Sequence, residues 1–171
     1  MEWVAGLIGV VVGAGVTVGV ACLERRWRRQ EARAAEKRAR LEERLEPVRR
    51  YGLALDGFVR GAARYMRIWA HLGAPKAAAG DLRQLVEGHW ANVAQVTPRP
   101  EPVSIVEDTA ARDPLLNLQL VVWRCRDRCL EVLEAGHSMA DDEADRYVAE
   151  AHEHLELMLM RMDELVEEVD G

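Results

Sequence analysis

Two cysteines one helical turn apart, Cys125 and Cys129, come nearest in type and spacing to a reactive or metal-binding site. A thiolate pair at i, i+4 supplies half of a tetrahedral zinc site and needs two further ligands. The same residues also continue an apolar series, Leu118, Val122, Cys125, Cys129 and Val132. Cysteine acts in such a series as a small hydrophobe, and core packing is the stronger reading of the pair. His152 with Glu156, and Glu150 with His154, stand at i, i+4 but off the apolar stripe of their helix, as surface pairs do. Inward-facing Glu-x-x-His pairs build di-iron helix bundles. Glu134 with His137 has that spacing, but Gly136 falls inside it. Met158, Met160 and Met162 suit a soft binding groove, and more commonly fill a core. No phosphate-cradling glycine loop, zinc-finger spacing or Ser/His/Asp constellation is present. Neither an enzyme nor a resident cofactor is expected.

The remaining chemistry is that of a membrane surface. Trp3 to Leu23 is a run of 21 residues without a charge. As a helix it reaches about 31 Å, close to the hydrocarbon thickness of a bilayer. Arg25, Arg26, Trp27, Arg28 and Arg29 follow at once. Arginines past a span hold that end in the cytoplasm, a tryptophan suits the interface, and each cation near anionic headgroups contributes about 1 kcal/mol. The expected location is therefore the plasma membrane, crossed once, with the N-terminus outside and the rest cytoplasmic. A cleaved signal peptide would carry positive charge before the apolar run, where only Met1 and Glu2 stand. Gly19-Val20-Ala21-Cys22 has a glycine where a lipoprotein signal carries a leucine-like residue. Ala5, Gly9, Gly13, Thr17 and Ala21 recur every four residues, a spacing that lets two membrane helices approach closely. Nucleic acid is a poorer partner for the arginines, because glutamates are interspersed among them.

The stretch VVGAGVTVGVACLERRWRRQ, followed by a helix rich in arginine and alanine, resembles little-characterised single-pass proteins of actinobacteria. Some of these are described as similar to plasmid-spread proteins of the KilB type. The resemblance is compositional and covers about the first 50 residues. It implies a plasma-membrane protein of a high-GC bacterium and, as a weaker alternative function, a membrane component of plasmid DNA transfer.

These groups must be positioned by helices, because 3-4 spacing of apolar residues recurs and no strand signal is strong. The fold class expected is all-α. Residues 1–23 form a transmembrane anchor, 24–46 a basic juxtamembrane helix, and 47–171 a cytoplasmic bundle of about four helices. One stripe runs Leu41, Leu45, Val48, Gly52, Leu55, Val59, Ala62, Met66, Trp69, with a kink or break expected at Pro47. A shorter helix follows, capped by Asp81, with Leu82, Leu85, Val86, Val93 and Val96 on one side. Three alternating prolines from Pro98 to Pro102 then favour an extended connector, and Ser104 with Glu107 has capping-box spacing. Asp113-Pro114 reads as cap and first turn of a helix that Gly136 ends. Ser138 with Asp141 opens the last helix, whose stripe is Ala144, Val148, Ala151, Leu155, Met158, Met162, Leu165, Val169. A two-residue link would make the last two helices an antiparallel hairpin.

Charge is unevenly spread. Residues 24–67 hold fourteen Arg or Lys against seven Asp or Glu, and residues 131–171 hold two against fourteen. A basic first half and an acidic last helix attract each other within one molecule or between neighbours. With catalytic motifs lacking and long apolar stripes present, the expected function is a membrane-tethered helical scaffold. Its expected partners are the lipid bilayer with its anionic headgroups and either its own copies or another helical protein. The alternative is a ligand- or metal-responsive regulator built on Cys125 and Cys129.

Overall fold

The computed structural model describes the backbone of residues 2–72, 76–96, 106 and 110–168, and the side chains of 23–71, 83, 84, 86–95, 106 and 110–168. Among these residues all regular structure is helical: α1 (Glu2–Leu72), α2 (Lys76–Val96), α3 (Arg112–Glu134) and α4 (Asp141–Glu167). The expected all-α class stands. The 71 residues of α1 span roughly 105 Å at the usual helical rise.

The apolar spacing of α1 becomes packing from Leu41 onward. Leu45, Val48, Leu55, Val59, Ala62 and Met66 are buried, and Leu41 and Trp69 are packed against them. Gly52 is buried too, and a methyl group there would run into the Met158 side chain. A second series, Tyr51, Phe58 and Ala63, is buried as well. It widens the apolar face so that α1 touches all three other helices. The break expected at Pro47 does not occur, since α1 continues through it. Proline there forfeits one helical hydrogen bond. Buried Leu45 and Val48 on either side hold the turn in place.

Polar contacts give the directions of α1, α3 and α4. Arg49 pairs with Asp163 at 2.7 Å, Arg60 with His152 at 3.0 Å, and Arg67 with Asp145, so α1 and α4 are antiparallel. Arg128 with Glu143 at 2.8 Å, and Arg124 with Glu150, make α3 and α4 antiparallel. The expected C-terminal hairpin is present. Phe58 meets Trp90 edge-on at 5.6 Å and Tyr65 lies 5.7 Å from His89, which seats α2 against α1. On α3, Arg126 stacks over the same Trp90 at 5.2 Å, and Arg83 of α2 reaches Glu134 at 2.7 Å. Among the described residues α2 makes no contact with α4. The architecture is thus a three-helix core of α1, α3 and α4, with α2 laid into the groove between α1 and α3.

Helix ends depart from the sequence reading in three places. Asp81 does not cap α2, which starts five residues earlier at Lys76. Asp113 lies in the first turn of α3, and Ala111 takes the N-cap position without a side-chain cap. Ser138 is likewise not a cap, because α4 begins after Ala140. Buried Val86 and Val93 agree with the α2 stripe. At the end of α3, Gly136 has φ +71°. Its N–H donates to the Leu133 carbonyl at 3.1 Å, and that of His137 donates to Val132 at 2.9 Å. This is a Schellman ending, which needs a residue free of Cβ strain. The link to α4 therefore spans residues 135–140, longer than the two residues expected, and buries Met139. Of the α4 stripe, Ala144, Ala151, Leu155, Met158 and Met162 are buried, Val148 and Leu165 half-buried, and Val166 joins them. Val169, the proline segment, and Ser104 with Glu107 lie outside the described residues, and Leu82, Leu85 and Val96 outside the described side chains.

Candidate functional site

Cys125 and Cys129 sit on the core face of α3, both free and both buried. A hydrogen bond to Cys129, and then burial, push the Cys125 thiol above its ordinary value of 9.0. A metal needs thiolates. The mutual hydrogen bond of the two cysteines keeps the proton on Cys125 and lowers Cys129 in turn. Among the described residues no group of three or more His, Cys, Asp or Glu is placed to hold an ion. Glu143 and Tyr147 of α4 lie close enough to act on Cys125 electrostatically. Burial raises the Tyr147 phenol as well.

The basic run is placed quite differently. From Leu23 to Arg40 every side chain of α1 is exposed except half-buried Ala34. Most of this part of the helix projects beyond the bundle, and only at its end do Arg38 and Ala39 border a groove shared with Asp163, Val166 and Glu167 of α4. Arg25, Arg26, Trp27, Arg28 and Arg29 all lie in the projecting part. Leu23 and Trp27, 60% and 68% exposed, stand one turn apart on one side. Arg25, Arg26, Arg28 and Arg29 share the rest of the circumference with Glu24, Gln30 and Glu31. Arg28 is drawn to Glu24 at 2.6 Å and Arg40 to Glu36. Such pairs are local and hold nothing but the helix itself. A helix with apolar Leu23 and Trp27 on one side and cations around it suits a layer of anionic headgroups.

Ala5, Gly9, Gly13, Thr17 and Ala21 lie outside the described side chains. Among the described residues no helix is long and apolar enough to cross a membrane.

The attraction between the basic half and the acidic helix is realised within one molecule, along the α1–α4 seam. At its centre is Asp56, buried and paired with Arg60 at 2.7 Å. Arg60 also donates to Nδ1 of His152 at 3.0 Å. A guanidinium has no acceptor, so Nδ1 carries the lone pair and the neutral ring bears its proton on Nε2. That nitrogen faces Glu156 at 3.1 Å. The sequence reading identified His152 with Glu156 but not the partners across the seam. Asp56 and Arg60 have the same i, i+4 spacing, and Asp56 adjoins the stripe residue Leu55, which was the available signal.

Two surface features remain. Leu116, Leu120 and Trp123 follow one another along the outer side of α3, and Trp123 is 56% exposed. On the outer side of α1 and α4, Leu53, Leu157 and Met160 are exposed. Apolar side chains grouped in this way mark contact surfaces more often than scattered ones do. No protein-family model matches the chain, and no curated protein or solved structure is found to be similar to it.

Proposed function

We propose that the chain is a non-enzymatic, membrane-tethered helical scaffold. Residues 1–23 anchor it in the plasma membrane, the basic part of α1 lies among the headgroups, and the bundle is displayed in the cytoplasm to its own copies. The observation that carries this reading is the continuity of α1. One helix joins the uncharged N-terminal span, the exposed basic stretch around Trp27, and the core of the bundle. No flexible joint separates tether from bundle, so the orientation of the one fixes that of the other. The arginines after the span set the N-terminus outside.

Fractionation of the full-length chain tests the anchor. Membranes washed at high salt and alkaline pH retain an integral span and release a protein held by charge alone. Retention is expected, and release would remove the anchor from the proposal. Differently tagged full-length copies that co-purify from mild detergent would support the scaffold, and a strict monomer would end it.

A further inference from the structure

We infer that the outer face shared by α1 and α4 is a homodimer interface, in which α1 of one copy lies against α4 of the other. This rests on the tethered-scaffold reading and adds to it the surface by which copies meet. On α1, exposed Arg50, Leu53 and Gly57 lie on the solvent side, with Arg60 beside the seam. On α4, exposed Glu153, Leu157, Met160 and Glu164 do the same. One face carries cations around a leucine and the other carries carboxylates around Leu157 and Met160. Complementary charge around an apolar centre gives an interface both its register and its choice of partner.

The cross-helix pairs fix the heights of these groups. Arg49 is level with Asp163 and Arg60 with His152. Leu53 therefore lies level with Leu159, flanked on the outer side by Leu157 and Met160. Arg50 lies near the level of Glu164, and Arg60 near that of Glu153. A two-fold axis parallel to α1 leaves every height unchanged. It thus brings Leu53 to the partner's Leu157 and Met160 and Arg50 to the partner's Glu164, twice over, while Arg60 stays on Asp56 and His152 of its own chain. Two chains anchored in one membrane with the same orientation are related by such an axis.

The same symmetry argues against the stripe on α3. Helices related by that axis run parallel, so pairing through Leu116, Leu120 and Trp123 would set Asp113 and Asp127 against their own copies. Like charges at matched positions oppose pairing. On the α1–α4 face the competing bonds are exposed and local, Arg50 to Glu46 at 2.7 Å and Arg161 to Glu164 at 2.6 Å. Pairs of that kind exchange at little cost. Gly57 has open space around it in its own chain, and a helix can approach closely there.

The test uses full-length chains with Cys22→Ser, one tagged version carrying Leu53→Cys and the other Met160→Cys, co-expressed and oxidised in their membranes. A disulfide joining the two tags is expected, in excess of any between two Leu53→Cys chains. Arg50→Glu should lower its yield about tenfold, and Glu164→Arg in the partner should restore it. Tagged chains that co-purify without this disulfide would overturn the interface and leave the scaffold reading intact. A Trp123→Cys disulfide between copies in its place would overturn it in favour of α3. Chains that neither cross-link nor co-purify would overturn both readings.

Discussion

The two described parts of α1 both carry arginines interspersed with acidic residues, and they have entirely different structural roles. From Leu23 to Arg40 the helix is exposed, and the ion pairs of Arg28 and Arg40 link turns of this same helix. From Leu41 onward its cations cross to Asp163, His152 and Asp145 on another helix. What separates the two parts is the density of apolar residues at 3-4 spacing. Once a stripe buries one side of the helix, the arginines flanking it are brought beside a neighbour's carboxylates. Without a stripe, Arg28 and Arg40 pair with glutamates one turn away on their own helix. Burial decides the structure here, and charge decorates the result.

The largest effect should come from breaking the stripe. Phe58 is buried and packs edge-on against Trp90. Phe58→Ala should lower the stability of the bundle by about 3–5 kcal/mol in urea unfolding of the full chain. Leu23→Ala, on the exposed part, should change it by less than about 0.5 kcal/mol. Equal losses would mean that the projecting helix is packed against something after all.

Within the bundle half, the pair at the centre of the seam should be asymmetric. Asp56 is buried, while the side chain of Arg60 is half exposed. Arg60→Ala strands a buried carboxylate and should cost about 2–3 kcal/mol. Asp56→Ala leaves a guanidinium that water can reach, and should cost about 1 kcal/mol. Comparing the two midpoints with that of the double variant measures the coupling. Equal costs would show that the carboxylate is solvated.

Alkaline pH probes the core from a different direction. The fold holds Cys125 protonated above 9.0 and Tyr147 above 10.0, the values each has when free. Beyond those values the unfolded chain binds fewer protons than the native one, so stability falls as pH rises. The slope approaches about 1.4 kcal/mol per pH unit for each such group. Unfolding free energy should begin to drop above pH 9, and Cys125→Ala should remove the first part of that drop. A slope unchanged in Cys125→Ala would mean the thiol ionises freely in the fold.

These contrasts show which parts of the structure were legible in the sequence. The stripes on α1 and α4 were, because burial imposes a spacing on residues such as Val48, Leu55 and Met158 that the chain displays directly. The end of α3 at Gly136 was legible for a related reason: the positive φ of its Schellman ending is a demand that glycine meets without strain. Starts were harder. Asp81, Asp113 and Ser138 are all good caps by type, but a cap is one hydrogen bond, and packing of the neighbouring turns outweighs it. Pro47 misled for the same reason, since buried Leu45 and Val48 offset the missing bond. The partners of Arg60 and His152 were hidden because they depend on how α1 and α4 register against each other, which neither helix encodes alone.

The smallest effect on stability should fall on the exposed arginines, where the effect on membrane association is greatest. Arg25, Arg26 and Arg29 make no ion pair among the described residues, and Arg28 has only Glu24. Replacing Arg25, Arg26 and Arg29 by alanine removes cations whose nearest structure is their own helix. The unfolding midpoint of the bundle should therefore stay where it is. Association with vesicles is a different matter, because each arginine at an anionic surface contributes about 1 kcal/mol. An anchor of the kind proposed would mask so small a change in the full chain, so the measurement needs a peptide of residues 23–40. Its partitioning onto vesicles containing anionic lipid should fall about fivefold per arginine removed. It should also weaken as salt is raised, since the attraction is screened. On neutral vesicles the substitutions should change little, and Trp27→Ala should then have the larger effect. Partitioning that ignored both lipid charge and salt would leave the basic part of α1 as a solvated spacer, with the apolar span as the sole contact with the membrane.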